Sequence, residues 1–188
     1  MPLNHWRLRL QAMAWLLAGR REKAEAVFGR MLEIWPTDAY ALSSRSFLRA
    51  QSGRGDAAIE DAQRLVAAHP ARGAGDWFNL GFLLDAARRD AEAVAAFERA
   101  LALDPKFDRA WYGMGLALQR QGRQEEALAA LKRNTELQPM SPYGWYHLAR
   151  VHADCQHPDE ARRIIRHLRG FEPRIAEQLE RETGLLAS

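Results

Sequence analysis

Five prolines recur along the chain at almost equal intervals. They are Pro36, Pro70, Pro105, Pro139 and Pro173, and the gaps between them are 34, 35, 34 and 34 residues. A fixed period of this length indicates one small structural unit that is repeated and stacked. Because a single unit cannot bury its apolar face alone, its neighbours must complete the core. The period therefore predicts a repeat architecture for most of the chain.

Other positions recur in phase with the prolines. Twelve residues before each proline stands an alanine: Ala24, Ala58, Ala93, Ala127 and Ala161. Four residues after these alanines stand Phe28, Ala62, Phe97, Leu131 and Ile165. A column of large residues precedes them, Leu8, Leu42, Trp77, Trp111 and Trp145, and a column of small residues is Ala12, Ser46, Gly81, Gly115 and Ala149. Small residues that alternate with large ones allow helices to approach closely.

The third and fourth units carry the columns most completely. The third unit reads Trp77, Leu80, Gly81, Leu84, Ala93, Phe97, Ala100 and Pro105. The fourth reads Trp111, Met114, Gly115, Leu118, Ala127, Leu131, Asn134 and Pro139. This pattern resembles the tetratricopeptide repeat. The resemblance implies an all-α fold, a right-handed α-solenoid of helix-turn-helix units.

The phase of the columns predicts how the chain is divided. We expect a single domain over residues 1–188, with units 5–38, 39–72, 74–107, 108–141 and 142–175, and a capping helix over 176–188. The longer interval is explained by one extra residue in the turn at 71–75. Units one and two depart from the pattern, since Arg45 and Arg49 stand at positions that are normally apolar.

Two residue types predict where the helices end. Gly19, Gly53 and Gly122 fall in the middle of their units, where a left-handed residue ends a helix at little cost. Each of the five prolines follows a second helix, because proline cannot continue one. Past the last proline, Ile175, Leu179 and Glu182 have the spacing of a terminal helix that covers the last unit.

Composition narrows the compartment and the class of protein. Hydrophobic residues make up 47% of the chain and the net charge is only +3, which argues against disorder and against a polybasic surface. The single cysteine, Cys155, suits a reducing compartment. No apolar run approaches the ~20 residues of a spanning helix. We expect a cytoplasmic bacterial protein with no membrane span, and a secreted form whose leader has been removed is the alternative.

The family resemblance implies a concave groove lined by the first helix of each unit. Carried onto this chain, the groove positions that we select are Tyr40, Phe78, Asn79, Phe82, Arg109, Tyr112, Arg120, Tyr143, Tyr146, His147 and Arg150. Aromatic rings and guanidinium groups are common anchors of interfaces. The expected ligand is an extended or helical peptide with an acidic group near the arginines. Phe47, Phe82 and Leu116 have an alternative role as core residues.

The first helix is apolar on more than one side. Leu3, Trp6, Leu10, Met13 and Leu17 form one stripe, whereas a surface helix normally has a single apolar stripe that faces the core. We expect Leu3, Trp6 and Leu10 to form an edge that packs on a second copy or on a partner. The alternative is that the stripe continues into the groove.

These patterns predict a binding protein rather than an enzyme. His147, His152, Cys155 and His157 lie close in sequence, but His147 and His152 point about 140° apart on a helix, so we expect no metal site. There is no phosphate-binding or nucleophile motif, and we expect no cofactor. The predicted function is an adaptor or scaffold that binds a peptide segment of a partner protein. A self-associating structural subunit is the alternative. Binding of RNA is a minor alternative, because the nearly equal numbers of acidic and basic residues do not favour binding to nucleic acid.

Overall fold

The computed structural model describes residues 3–186, with side chains from Asn4 to Leu186. Within this range the chain forms eleven α-helices and no strand. The helices are α1 (Leu3–Leu17), α2 (Arg21–Ile34), α3 (Ala39–Gln51), α4 (Gly55–Ala68), α5 (Ala74–Ala86), α6 (Asp90–Leu103), α7 (Asp108–Arg120), α8 (Gln124–Leu137), α9 (Pro142–Asp154), α10 (Pro158–Arg169) and α11 (Pro173–Thr183). Each predicted unit therefore contains two helices joined by a short turn.

The contacts divide the chain into two compact bodies. The N-terminal body ends at Arg88 and the C-terminal body begins at Arg89. Within each body, every helix packs against the next one along the chain, from α1 to α5 and from α6 to α11. Such nearest-neighbour packing is typical of a repeat array, in which each unit is stabilised by adjoining units. The prediction that residues 1–188 are one domain stays a prediction.

The recurring alanines lie where helices touch most closely. Ala24, Ala58, Ala93, Ala127 and Ala161 are all 0% exposed. The residues four positions later are also buried, and Phe28 and Phe97 are the largest fully buried side chains. The Leu131 side chain of α8 packs against Gly115 of α7, where an added Cβ would lie 2.7 Å from Leu131 Cγ. The small column is therefore required by the approach of neighbouring helices.

The prolines and the tryptophans of successive units are joined by hydrogen bonds. Trp111 Nε1 donates to the Pro105 carbonyl at 2.9 Å, and Trp145 Nε1 donates to the Pro139 carbonyl at 2.8 Å. Trp77 makes the same bond to Pro70. A half-buried indole needs a partner for its N–H, and here the turn before the helix supplies it. The two sequence columns are thus parts of one structural feature.

One left-handed residue ends the first helix of every unit. Gly19, Gly53 and Gly122 have φ values of +70°, +76° and +73°, which confirms the predicted helix ends. Arg88 and Gln156 occupy the same place in the third and fifth units and have φ of 59°. The turn geometry is therefore kept even where the residue is not glycine, although a side chain at this φ is strained.

A buried ion-pair network explains the two arginines that depart from the repeat pattern. The Asp61 carboxylate is 1% exposed and accepts two hydrogen bonds from Arg45, at 2.8 and 2.6 Å, and one from Arg49 at 3.0 Å. Arg49 also pairs with Glu25, which pairs with Arg54 as well. Asp61 and Glu25 neutralise the arginines that replace apolar residues, so these guanidinium groups are held between the helices of the N-terminal body.

The terminal helix covers the end of the C-terminal body. Its Ala176 and Leu179 are fully buried, and α11 contacts both α9 and α10. It begins at Pro173, three residues before the predicted start, because a proline at the first helical position loses no intrahelical hydrogen bond. It ends at Thr183, before the left-handed Gly184. Residues 187 and 188 of the predicted cap lie outside the described range.

Removing the shared carboxylate should destabilise the N-terminal body. We expect Asp61→Ala to lower the free energy of unfolding by about 3 kcal/mol, because Arg45 would lose its carboxylate partner and Arg49 would keep only Glu25. The matched control is Glu126→Ala, which removes the exposed partner of Arg123 and should change the free energy of unfolding far less, because solvent screens an exposed pair. Urea denaturation followed by circular dichroism measures both. Equal losses in the two variants would contradict the role of Asp61.

The left-handed position offers a second test. Gly122→Ala should cost about 1 kcal/mol through backbone strain alone, since no atom lies within 4 Å of the added Cβ. Gln156→Gly should raise the melting temperature, because it removes strain at φ 59°, although the greater freedom of glycine in the unfolded chain offsets part of the gain. A lower melting temperature for Gln156→Gly would show that strain is not the dominant effect.

Candidate functional site

The predicted groove positions lie on the first helices, and the tyrosines concentrate there. All four tyrosines of the chain, Tyr40, Tyr112, Tyr143 and Tyr146, lie on α3, α7 and α9. The groove positions of the first unit are Trp6, Arg9, Leu10 and Met13 on α1. We use the term first-helix face for these and the other predicted groove positions, which lie on α3 and α5 in the N-terminal body and on α7 and α9 in the C-terminal body. Tyrosine combines a large apolar ring with a hydroxyl that can remain in contact with water. The surface that carries these residues therefore offers both apolar contact area and hydrogen-bonding groups.

In the C-terminal body, an aromatic cluster joins α7 to α9. The Tyr112 and His147 rings meet edge to face with centroids 5.7 Å apart, and the Tyr146 and His147 rings do so at 5.0 Å. Tyr143, one turn earlier on α9, is 65% exposed. The structure therefore brings Tyr112, Tyr146 and His147 into one group, with Tyr143 free to contact a ligand.

Tyr146 and Arg150 hold a carboxylate that comes from the terminal helix. The Tyr146 hydroxyl donates to Glu182 Oε2 at 2.5 Å, and Arg150 Nη1 donates to the Tyr146 oxygen at 3.2 Å. Arg150 Nη1 also lies 3.7 Å from Glu182 Oε2. A hydroxyl and a guanidinium group aimed at one carboxylate form a small anion-binding arrangement. Here its occupant belongs to α11.

The other two predicted arginines have different surroundings. Arg120 donates to Asp90 Oδ1 at 2.7 Å, so its charge is paired within the C-terminal body. Arg109 is exposed, and its guanidinium carbon lies 5.3 Å from the centre of the Phe107 ring. Nearby, Gln119 donates to Asp154 at 3.4 Å. Arg120 and Arg150 therefore pair with different carboxylates.

The charge state of the cluster follows from its burial. Burial and, to a smaller extent, the positive charge of Arg150 lower the pKa of His147 to about 4. His147 is therefore neutral at pH 7. Burial also raises the pKa of Tyr112, so that its hydroxyl stays protonated. The aromatic cluster thus offers neutral hydrogen-bonding groups beside the Arg150 charge.

A shallow cavity of about 400 Å³ lies next to this cluster. His147, Arg150, Arg120 and Asp154 line it, together with Leu116, Gln119 and Gln124. Leu116 is half-buried, which is compatible with either of the roles predicted for it. The cavity is of a size that takes a side chain of a bound segment, and its walls offer both charges and amides.

The first-helix face of the N-terminal body is more apolar. Tyr40 is half-buried, with Arg9 stacked 4.2 Å over its ring and Phe28 at its edge. Phe78 stacks on Phe82 with ring centroids 6.4 Å apart. Asn79 is exposed beside them.

Two of the three doubtful aromatic or apolar residues can be assigned. Phe47 and Phe82 are 60% and 59% exposed, so the alternative that they belong to the core is wrong.

The apolar stripe of α1 is also exposed. Trp6, Leu10, Met13 and Leu17 are 49%, 53%, 48% and 89% exposed. The side chain of Leu3 lies outside the described residues. On another side of the helix, Leu8 and Trp15 pack on the buried core of the N-terminal body. The two apolar sides predicted for this helix are therefore distinct, since one is packed and the other is open.

The histidine and cysteine residues near residue 150 do not form a ligand cluster. Among the described residues, no group of three or more His, Cys, Asp or Glu side chains is placed to hold a metal ion. His152 and His157 have ring centroids 5.8 Å apart, and burial raises the pKa of the Cys155 thiol.

Within residues 3–186, none of the helices combines the length and apolar character needed to cross a bilayer.

Family models match the C-terminal part of the chain. One model, described as a TPR repeat, matches residues 89–122, and a second, described as a tetratricopeptide repeat, matches residues 112–168. Residues 89–168, which these two models cover between them, therefore match tetratricopeptide repeats. No curated protein sequence is similar enough to this chain to count as a match.

Solved structures share the fold of this chain over nearly its whole length. The MamA protein is similar with a TM-score of 0.83 and 18% identity, over 98% of this chain and 96% of that one. Residues 41 to the end of MamA from Desulfovibrio magneticus RS-1 give 0.80 and 19%, over 97% and 98%. YrrB, a TPR protein with an unusual peptide-binding site, gives 0.81 and 19%, over 90% and 88%. The predicted fold class, an all-α solenoid of helical repeats, is confirmed.

The tetratricopeptide pattern could not reveal the partners of the site residues. Glu182 lies on the terminal helix outside the repeats, and Asp90 lies on α6, 30 residues from Arg120. Neither carries a motif of its own. The only signal in the sequence was the helical spacing of Glu182 with Leu179, which placed Glu182 on a helix but not on Tyr146. Contacts between units are decided by packing and not by local pattern.

The contact of Glu182 on α11 with Tyr146 on α9 should make the free energy of unfolding depend on pH in the acid range. The hydrogen bonds from Tyr146 and Gln178 lower the pKa of Glu182 despite partial burial. A carboxyl group with a lowered pKa stabilises the fold above its unfolded pKa, and this stabilisation is lost as the pH falls through the folded pKa. We therefore expect Glu182→Gln to lower the free energy of unfolding at pH 7 by less than about 1 kcal/mol.

At pH 3 the difference between wild type and Glu182→Gln should shrink, because the carboxyl group becomes protonated in the wild type. Urea unfolding at the two pH values measures it. The matched control is Glu177→Gln, an exposed change one turn away on α11. A difference that stays constant with pH, or that appears equally in Glu177→Gln, would contradict the contact.

Proposed function

We propose that the protein is an interaction scaffold whose first-helix faces bind a segment of a partner protein. The observation that carries this proposal is the group of Tyr146, His147 and Arg150 on α9, which borders a cavity and already holds a carboxylate. Exposed Tyr143 and Arg109 extend the same face. Aromatic and guanidinium side chains of this kind are frequent hot spots of protein interfaces.

The bound segment carries an acidic group. Glu182 supplies a local model of such a ligand, because its carboxylate accepts the Tyr146 hydroxyl and lies near Arg150. A carboxylate of the partner takes the place of Glu182 at Tyr146 and Arg150, and Arg109 provides further positive charge. Such charge-assisted contacts favour orientation and association rate as well as affinity.

The comparison with YrrB supports a peptide ligand. That protein is a TPR protein with an unusual peptide-binding site. At 19% identity the likeness concerns the fold, so the residues that bind are argued from this chain alone. The groove residues proposed here are the eleven of the sequence analysis, divided between the two bodies. Binding, rather than catalysis, is the proposed activity, and the cytoplasm is the proposed compartment.

Self-association through α1 is a second candidate function. The exposure of Trp6 and Leu10 supports it, because apolar side chains of this size rarely remain open to water without a function. In this version the chain is a structural subunit of an assembly. Sedimentation velocity over a range of concentrations tests it, with a single monomeric species at high concentration as the result that would exclude it.

Replacing exposed groups on the first-helix face should abolish partner binding. The test variant is Arg109→Glu with Tyr143→Ala, since both side chains are exposed and the fold should survive. The matched control is Lys132→Glu with Met140→Ala, which makes the same charge change away from this face. We expect a partner captured by wild type and control to be lost by the test variant, by about tenfold or more in affinity.

Photo-crosslinking tests whether the captured partner contacts the first-helix face. A photo-crosslinking residue at position 143 should attach to the captured partner, and one at position 140 should not. Circular dichroism and melting confirm that each variant is folded. Equal capture by the test and control variants would overturn the proposed site, even if a partner is found.

A further inference from the structure

The open stripe of α1 has the spacing of a coiled-coil seam. Trp6, Leu10, Met13 and Leu17 are separated by four, three and four residues, and all four are exposed. This alternation of three and four residues is the pattern that places apolar knobs into the holes of a facing helix. The seam extends for about 16 Å along the helix axis, at 1.5 Å per residue. It is therefore shaped to receive another helix.

The orientation of the seam is fixed by the packing of α1. Leu8, Ala12 and Trp15 pack in the core of the N-terminal body, and Lys23 of α2 lies 4.5 Å over the Trp15 ring. Arg9 reaches α3, where it stacks on Tyr40. Phe47, two turns along α3 from Tyr40, is exposed on the same side of that helix. The seam thus belongs to a rigid surface with an aromatic flank.

The charges beside the seam are all positive. On α1 the residues that flank the seam are Arg7 and Ala14 on one side and Arg9 and Leu16 on the other, and the helix contains no acidic residue. A second copy of α1 would present the same arginines and no carboxylate. Charge complementarity therefore favours a helix that has glutamate or aspartate at the positions beside its own seam.

We propose that the seam of α1 is the docking site of an amphipathic partner helix with acidic flanking residues. The apolar face of this helix packs on Trp6, Leu10, Met13 and Leu17, and its carboxylates meet Arg7 and Arg9. The inference rests on the proposed function, since it names the class of segment that the first-helix face of the N-terminal body receives. A membrane surface is a poorer occupant, because two arginines provide far less charge than a polybasic lipid-binding segment.

The experiment uses the full chain and two designed peptides. Each peptide is a three-heptad helix with leucine at the seam positions, flanked by glutamate in one and by lysine in the other. Fluorescence anisotropy of the labelled peptides measures binding. We expect the glutamate peptide to bind at least about tenfold more tightly than the lysine peptide, because only the former complements Arg7 and Arg9.

Variants locate the binding on the seam. Leu10→Glu with Met13→Glu should abolish binding of the glutamate peptide, since it introduces like charges and removes apolar area. The matched control is Gln11→Glu with Ala18→Glu, which adds the same charge at exposed positions that neither form nor flank the seam and should weaken binding much less. Arg7→Glu should reduce the preference for the glutamate peptide. Circular dichroism verifies the fold of each variant.

Three results would overturn the inference: equal binding of the two peptides, equal loss in the seam and control variants, or failure of both peptides to bind. Sedimentation that shows a dimer dissolved by Leu10→Glu would assign the seam to a second copy. Flotation with anionic vesicles that is lost in the same variant would assign it to lipid. The proposed function is judged separately by the Arg109 and Tyr143 variant, whose peptide binding at α1 should be unchanged.

Discussion

The close approach of neighbouring helices at the buried alanines is the constraint on which the structure depends. Ala24, Ala58, Ala93, Ala127 and Ala161 are fully buried. In the C-terminal body, an added Cβ at Gly113, Gly115 or Gly144 would lie less than 3 Å from a side chain of an adjoining second helix. Large side chains from the adjoining columns fill the remaining space, which keeps the interior at the packing density of folded proteins. The same closeness leaves the outer side of each first helix free, so that side chains there are available for contacts with other molecules.

The N-terminal body keeps this geometry by a different chemical solution. Arg45 and Arg49 stand where apolar residues are usual, and the carboxylates of Asp61 and Glu25 neutralise them between the helices. A buried pair of this kind is rarely more stable than a good apolar contact, but it tolerates no unpaired member. As a consequence, these units match the repeat pattern poorly in sequence but keep its helical fold. The first-helix face of this body is largely apolar.

The two bodies offer different surfaces to a partner. In the C-terminal body, a neutral His147 and Arg150 line a cavity, and Tyr146 and Arg150 hold the carboxylate of Glu182. In the N-terminal body, Phe47, Phe82 and the α1 stripe are apolar and open. A partner with an acidic contact in one segment and an apolar helix in another would use both. This division suits a scaffold better than a single-pocket receptor.

The period of the prolines, the alanine column and the mid-unit glycines determined the helical repeats, their turns and the family, because these features depend on residues close in sequence. The first-helix positions of the tyrosines followed from the same phase. Tertiary structure alone decided that Glu182 binds to Tyr146 and Arg150 and that Asp90 pairs with Arg120. It also decided that Asp61 pairs with both Arg45 and Arg49. It also decided that Phe47 and Phe82 are exposed. Ion pairs and burial depend on which helices meet, and a repeating pattern specifies that helices stack without specifying which polar groups then face one another.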